Sequence, residues 1–364
     1  MEKDLMALLK LFIISALAQF PLSLIRFFLP IYASDFGANN FELGLMGASY
    51  GITYIALAAY FGRFVEKVGH RFMIFLGLLF YALIVLCYIF VHRPYLFVIG
   101  RAGEAVSMAL VWPSIEVSSK ISKNAKISVL AYTVSWSIAA SFAPYVGSFL
   151  AKPYFYEFLV ASLVSIIGGF VSLFLPKIQA VNIIVEKKNF STMSDIVIPI
   201  FLYGFNSSVI SSFYPVFGKI LFGINGSGLI MTIAGSFMVI AFIFSAFVKI
   251  NYFKLLIAGL TLQIMFLNIF LFRSFFVQLV SISLIYFGLG LVYYIILFNI
   301  INTFSLNVGI KTGIFESSIG AGFTIGPLIS GLPSIFGLKL PWIISFFESI
   351  IVILVYISMK ILKH

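Results

Sequence analysis

Gly62-Arg-Phe-Val-Glu66-Lys67-Val-Gly69-His-Arg71 is a charged island in an apolar chain, with five of its ten residues ionisable. The stretch before it, 41–62, carries Glu42 as its single charge, and the stretch after it, 71–91, carries none beyond Arg71. Each flank is about the 20 residues that an α-helix needs to cross the hydrocarbon core of a bilayer. Working outward, the same alternation recurs along all 364 residues and divides them into twelve apolar spans: 8–33, 41–62, 71–91, 94–117, 125–149, 155–175, 196–221, 226–249, 252–272, 275–300, 309–332 and 340–361. The separators are short and hold breakers or charges, as in Asp35-Phe36-Gly37 and His92-Arg93-Pro94. Barrel strands are excluded, because these runs are twice the ~10-residue length of a membrane strand and lack its alternation.

Composition gives the same answer. The chain is 62% hydrophobic and 10% charged, with a mean hydropathy of +1.14, whereas soluble domains are about half apolar and a quarter charged. A soluble enzyme, a nucleic-acid-binding domain and a disordered protein are excluded. The net charge of +11 would suit nucleic acid, but the charges lie in clusters between apolar runs, so no nucleic-acid partner is expected. One cysteine, Cys87, allows no intramolecular disulfide. His70, His92 and His364 are too scattered for a histidine-based metal site. No Gly-xxxx-Gly-Lys-Ser/Thr loop and no Ser/His/Asp set is present, so neither ATP hydrolysis nor hydrolytic chemistry is supported. No enzyme activity, cofactor or metal is expected. The first apolar run is too long for a signal-peptide core and is read as a retained helix.

Orientation follows the bias of Lys and Arg towards cytoplasmic segments. With both termini inside, the outer segments hold Arg93, Lys152, Lys219, Arg273 and Lys339, Arg26 and Arg101 lie within spans, and the other 16 of the 23 are inside. The expected organisation is a first half, 1–175, a cytoplasmic linker, 176–195, and a second half, 196–364.

The halves resemble each other at an offset of about 184 residues. Pro30 falls on Pro215. Asn124, Ala139, Ala143, Pro144 and Gly147 fall on Asn307, Gly322, Gly326, Pro327 and Ser330. Two six-helix units in the same orientation imply a parallel repeat about an axis along the membrane normal, with a cavity between the units.

These motifs resemble those of the Major Facilitator Superfamily. The 62–71 island is similar to the family's Gly-xxx-Asp-Arg-x-Gly-Arg-Arg loop, with Glu66 for Asp and Lys67 for Arg. Arg101-Ala-Gly-Glu104-Ala is similar to its fourth-helix Arg motif, with Glu104 at the usual Gln position. Ala143-Pro144-Tyr-Val-Gly147 is a weakened form of a fifth-helix Gly-Pro-xx-Gly motif associated with antiporters. The corresponding loop of the second half, Phe247-Val-Lys249-Ile-Asn-Tyr-Phe-Lys254, lacks the acid and the glycines. The resemblance implies an all-α polytopic membrane protein of twelve transmembrane helices in two six-helix bundles, the major facilitator fold. It also implies that span 2 pairs with span 11, and that spans 1 and 4 line the cavity.

On that architecture, Gly62, Glu66, Lys67, Gly69 and Arg71 form a latch on the cytoplasmic side. Gly47-xxx-Gly51 and Ala58-xxx-Gly62 are expected to meet Gly322-xxx-Gly326 on span 11. Glu316 is expected to pair with Lys311 or with the latch. Ala143, Pro144, Gly147, Gly322, Gly326 and Pro327 are expected as hinge and packing positions. Ionisable groups inside a membrane face a cavity or a partner. At 1.5 Å per residue, Arg26 and Arg101 sit at similar depths, about 11 Å from the outer ends of spans 1 and 4, and Glu104 lies one turn deeper. Arg101 and Glu104 share a helix face. An Arg26–Glu104–Arg101 cluster reads either as a proton or anion site or as an ion pair that fixes helix packing. Trp112, Tyr132, Trp136, Tyr203, Asn206, Ser207, Tyr286, Tyr293 and Tyr294 complete the expected cavity, and Glu348 is read as a structural contact.

The function expected is secondary active transport of a small organic solute by alternating access, with protons as the candidate coupling ion. The fifth-span motif and aromatic lining favour export of amphiphilic compounds. Arg26 and Arg101 favour uptake or exchange of an anionic or sugar-like solute. A non-transporting membrane sensor or assembly partner is the alternative of another class. The expected partners are the lipid bilayer and the solute, and the expected state is a monomer in the cell (plasma) membrane with both termini cytoplasmic.

Overall fold

The computed structural model describes residues 2–62, 64–118, 125–150, 153–176, 194–303, 308–332, 337 and 339–361. Among them the regular structure is entirely helical, as lipid demands, because a helix satisfies its own backbone groups. The helices are α1 (Glu2–Asp35), α2 (Asn40–Gly62), α3 (Val65–Val68), α4 (His70–Cys87), α5 (Pro94–Ser118), α6 (Ala125–Leu150), α7 (Phe155–Ser172), α8 (Ser194–Phe247), α9 (Tyr252–Leu262), α10 (Phe266–Leu271), α11 (Phe275–Thr303), α12 (Val308–Gly331) and α13 (Leu340–Ile361). Among the described residues, ten helical stretches are long and apolar enough to cross a membrane. Leu83, Ile167, Phe276 and Leu354 project outward from them, largely uncovered, as side chains in contact with lipid do. Most of the proposed linker lies outside the described residues.

Two boundaries differ from the sequence reading. Spans 7 and 8 are expected with a loop at 222–225, yet α8 runs 54 residues and is broken only at Gly223 (φ 74°, ψ 171°). That backbone conformation is essentially restricted to glycine. Ser227 Oγ donates to the Pro215 carbonyl at 3.3 Å, whereas twelve residues of straight helix would separate them by about 18 Å. α8 is therefore a hairpin of two limbs. Span 9 is expected as one helix and is instead α9 and α10 joined by a 3₁₀ turn, Gln263–Met265. At the start of α2, Asn39 Oδ1 accepts from the Glu42 amide at 3.0 Å and Glu42 Oε2 accepts from the Asn39 amide at 2.9 Å. This is a reciprocal capping box.

The internal repeat reappears in the packing. Where α2 meets α12, a Cβ on Gly44 would lie 2.5 Å from the Pro327 carbonyl oxygen. Where the second limb of α8 meets α6, a Cβ on Gly228 would lie 2.8 Å from the Pro144 carbonyl oxygen. Gly44 and Gly228 are 184 residues apart, and their partners are the two repeat prolines. Gly51 against Thr324 and Gly235 against Ser141 continue both seams. These contacts join the halves at two related places with small-residue packing, which drives helix association in lipid.

The face of α12 used at the first seam is not the expected one. Gly320, Thr324, Pro327 and Gly331 meet α2, while Gly322 and Gly326 lie against Phe205 of α8. The two sets occupy different stripes of one helix, because residues three or four apart share a face and residues two apart do not.

Candidate functional site

A cavity of about 70 Å³ lies between the halves. Gln19, Arg26, Tyr50, Tyr54, Trp112, Tyr132 and Trp136 line it from the first half, and Tyr203, Tyr293, Glu316, Ile319 and Phe323 from the second. A neighbouring space of about 90 Å³ shares Gln19, Arg26, Trp136 and Tyr203 and adds Ser207, Tyr286 and Pro144. Linings of this kind, aromatic walls with a few polar groups, suit small organic ligands. Trp112, Trp136, Tyr203 and Tyr293 are all buried. The Trp136 indole Nε1 has no hydrogen-bond partner among the described residues, and a buried donor left unpaired is costly unless something else accepts from it.

Arg26 lies towards the outer end of the cavity. Its guanidinium sits 5.1 Å from the Tyr50 ring centre and 5.2 Å from that of Phe323, and it makes no ion pair among the described residues. A smaller space, lined by Arg26, Arg101, Ser211 and Ser212, opens beside it.

Arg101 and Glu104 form a closed pair. Arg101 donates to Glu104 Oε2 at 2.5 Å, and the Tyr88 hydroxyl donates to Glu104 Oε1 at 2.5 Å. Glu104 is fully buried and lines neither of the two larger cavities. Arg26 lies within electrostatic reach of Glu104 but makes no ion pair with it, and Tyr50 from α2 stands beside both guanidiniums, with Arg101 at 4.7 Å from its ring centre. Both oxygens of Glu104 are engaged, as a packing ion pair requires.

Glu316 faces the cavity rather than the latch. Its Oε2 accepts from the Tyr54 hydroxyl at 2.6 Å, and the Glu116 carboxyl lies within electrostatic reach of it. Glu116 Oε1 accepts from the Tyr132 hydroxyl at 3.4 Å, and Tyr132 lines the cavity with Tyr293. Two carboxyls, one from each half, thus each take a phenol that lines the cavity. Sequence reasoning missed Glu116, Gln19, Tyr50 and Tyr54. Glu116 lies two residues from the end of α5, where a charge reads as interfacial, and nothing local predicts its Tyr132 bond.

The other expected residues divide. Tyr286 and Ser207 edge the larger space. Asn206 turns away: its Nδ2 donates to Gln263 Oε1 and Ser349 Oγ, both at 2.9 Å, tying α8 to the 3₁₀ turn and α13. Tyr294 stacks on Phe298 with ring centres 6.0 Å apart, one residue round from the cavity face. Ala143 is buried, and Gly147 packs against Leu24 and Phe27 of α1. In the latch, Gly62 ends α2 and Gly69, at φ 94°, joins α3 to α4. The Arg71 carbonyl accepts from Ser172 Oγ at 3.1 Å. The side chains of Glu66 and Lys67 lie outside the described residues. Glu348, read as a structural contact, has both carboxyl oxygens buried without a hydrogen-bond partner among the described residues.

At the opposite end, Lys219 of α8 pairs with Asp35 of α1, and the Tyr154 hydroxyl donates to Asp35 Oδ2 at 2.5 Å. Burial, then the Asp35 bond, pushes the Tyr154 phenol up to about 12. No cluster of His, Cys, Asp or Glu able to hold a metal occurs among the described residues.

Comparison with known proteins supplies the family. No curated protein sequence matches the chain. The solved structures that it resembles include the human organic anion transporter MFSD10 (TETRAN), at TM-score 0.76 and 14% identity over 96% of this chain and 99% of that one. A point mutant of the nucleoside transporter NupG matches at TM-score 0.73 and 16% identity, over 97% and 99%. A bacterial homolog of the human lysosomal transporter Spinster, inward-facing and occupied, matches at TM-score 0.74 and 13% identity, over 97% and 96%. At such identities the likeness is one of fold. The family model of the Major Facilitator Superfamily matches residues 11–309, most of the chain and both halves of the cavity, so this integral membrane protein belongs to the Major Facilitator Superfamily.

Proposed function

We propose that the chain is a secondary transporter that carries an organic anion with an apolar or aromatic body by alternating access between its two halves. Arg26 carries this reading: it is a cation on the cavity wall, unmatched by any acid in the described ion pairs and set among aromatic rings. An anionic group of the solute takes up the guanidinium, its body packs on Trp136, Tyr203 and Tyr293, and an acceptor on it takes the Trp136 N–H. The resemblance in fold to an organic anion transporter is consistent with this substrate class. The positive-inside bias places both termini in the cytoplasm, and the working unit is taken as a monomer in the cell membrane.

The test is uptake and counterflow in proteoliposomes, against a panel of aromatic carboxylates, phosphates and their neutral analogues. Hydrogen bonds to charged groups contribute about 1.5–3 kcal/mol, so Arg26→Ala is expected to weaken anion binding roughly ten- to a hundredfold and to leave neutral analogues unaffected. Anion transport by Arg26→Ala with unchanged affinity overturns the substrate class.

A further inference from the structure

We propose that the small space between Arg26 and Arg101 is a binding site for a compact monovalent anion, with chloride as its ordinary occupant. The space measures about 20 Å³, and roughly 10–15 Å³ accommodates one water. It has room for a single ion of halide size and not for a branched oxyanion. Four helices build it: α1 contributes Arg26, α5 contributes Arg101, α8 contributes Ser211 and Ser212, and α2 passes at Gly47. Both halves of the molecule therefore hold the site. The rest of its lining is apolar, and no acidic side chain among the described residues lines it.

Charge and hydrogen bonding both point to an anion. The guanidiniums of Arg26 and Arg101 stand 5.1 and 4.7 Å from the centre of the Tyr50 ring, so two like charges crowd one aromatic side chain. Glu104 neutralises Arg101, and Arg26 has no ion-pair partner among the described residues. The group keeps one positive charge in an apolar setting. A lysine or histidine there could shed its proton, but an arginine cannot. A charge that is withdrawn from water and cannot neutralise itself needs a counter-charge, and one monovalent anion supplies it. Ser212 adds a donor. It is buried, and its hydroxyl donates to no acceptor among the described residues, whereas Ser211 Oγ donates to the Ser208 carbonyl at 3.1 Å. Gly47 leaves that hydroxyl its room, because a Cβ there would lie 2.6 Å from Ser212 Oγ. An anion that accepts from Arg26 and from Ser212 joins α1 of one half to α8 of the other. Arg26 also borders both larger cavities. An organic anion there and a halide here draw on the same guanidinium, so each lowers the affinity of the other by the same factor.

The test is the chlorine NMR line width of sodium chloride with the full chain in detergent, against detergent alone, with gluconate holding the ionic strength constant. The wild-type chain is expected to broaden the line saturably. Bromide should reverse the broadening by displacement, and sulfate should not. Arg26→Gln should abolish the bromide-reversible part. Ser212→Ala loses one hydrogen bond to a charge and should weaken chloride affinity roughly tenfold, whereas a serine with only a packing role would leave it unchanged. This milder variant decides the matter if Arg26→Gln does not fold. A wild-type chain without bromide-reversible broadening, equal displacement by sulfate, broadening that survives in Arg26→Gln, or undiminished affinity in Ser212→Ala overturns the proposal. No organic solute enters this measurement. A chain that binds chloride in this pattern yet carries no organic anion removes the transport reading and leaves the halide site, and a transporting chain with no chloride signal removes the halide site alone.

Discussion

Glu104 and Glu316 show how two carboxyls of similar sequence setting diverge in role. Glu104 sits one helical turn from an arginine and was legible as a membrane-embedded charge; what could not be read is that Tyr88, from the turn after α4, would occupy its other oxygen. That third contact closes the site. Glu104→Gln is therefore expected to act on stability: breaking a buried pair costs about 3–5 kcal/mol, because the partner is left charged and uncompensated. The thermal midpoint in detergent should drop for Glu104→Gln and recover in part in Arg101→Gln/Glu104→Gln. Stable Glu104→Gln protein that has lost only its response to a pH gradient would return the coupling role to this residue. Arg26 was legible as a charge within a span, and its setting among Tyr50 and Phe323 was not, because both rings come from other helices.

Among the elements, the α8 hairpin depends on one residue. Gly223 adopts a conformation that costs a side-chain-bearing residue about 1–3 kcal/mol, so Gly223→Ala should lower the folded yield and thermal midpoint although nothing stands within 4 Å of its Cβ position. The same substitution at Gly337 (φ 75°), outside any helix, provides a comparison of strain without a hairpin. At the seams, Gly44→Leu and Gly228→Leu insert bulk against a carbonyl oxygen, and overpacking costs about 1–3 kcal/mol. Repeat symmetry predicts similar losses at both, measured as folded yield by size-exclusion chromatography; a large loss at one and none at the other would show that the seams are not equivalent. Segments, their order and the repeat were legible because hydrophobic run length and Pro/Gly spacing are local properties. Which stripe of α12 meets α2 was not, because both stripes are small and only the opposing surfaces choose between them.

At the scale of the whole molecule, one ion pair links the two halves beside the end of α1. The outer clasp of Asp35, Lys219 and Tyr154 is an ion pair with a phenol attached. The phenol's value in the fold lies above its ordinary 10.0, so its contribution is whole below about pH 10 and is lost as pH rises through about 12. From pH 6 to 9 the outer end should thus be insensitive to pH through Tyr154, whereas Asp35→Asn should loosen it, read as faster labelling of a cysteine placed in the cavity at Ser211. Topology has its own test: a cysteine at Asn225, exposed beside the Gly223 turn, should react with an impermeant reagent outside intact cells, and one at Asn189, in the linker, should not. Reaction at Asn189 overturns the assigned orientation.

The outer clasp also bears on how such a molecule can arise. Asp35 and Lys219 are separated by 184 residues, one short of the 185 that separate Pro30 from Pro215, so the bond joins near-counterparts across the pseudo-twofold axis. In a symmetric dimer of identical six-helix subunits, each residue near the axis meets its own copy, and an acid would face an acid or a lysine a lysine. Attraction there requires the two copies to carry different residues. Fusion into one polypeptide permits that difference, and charge asymmetry at the axis is a property that this protein has and no homodimer of either half could have.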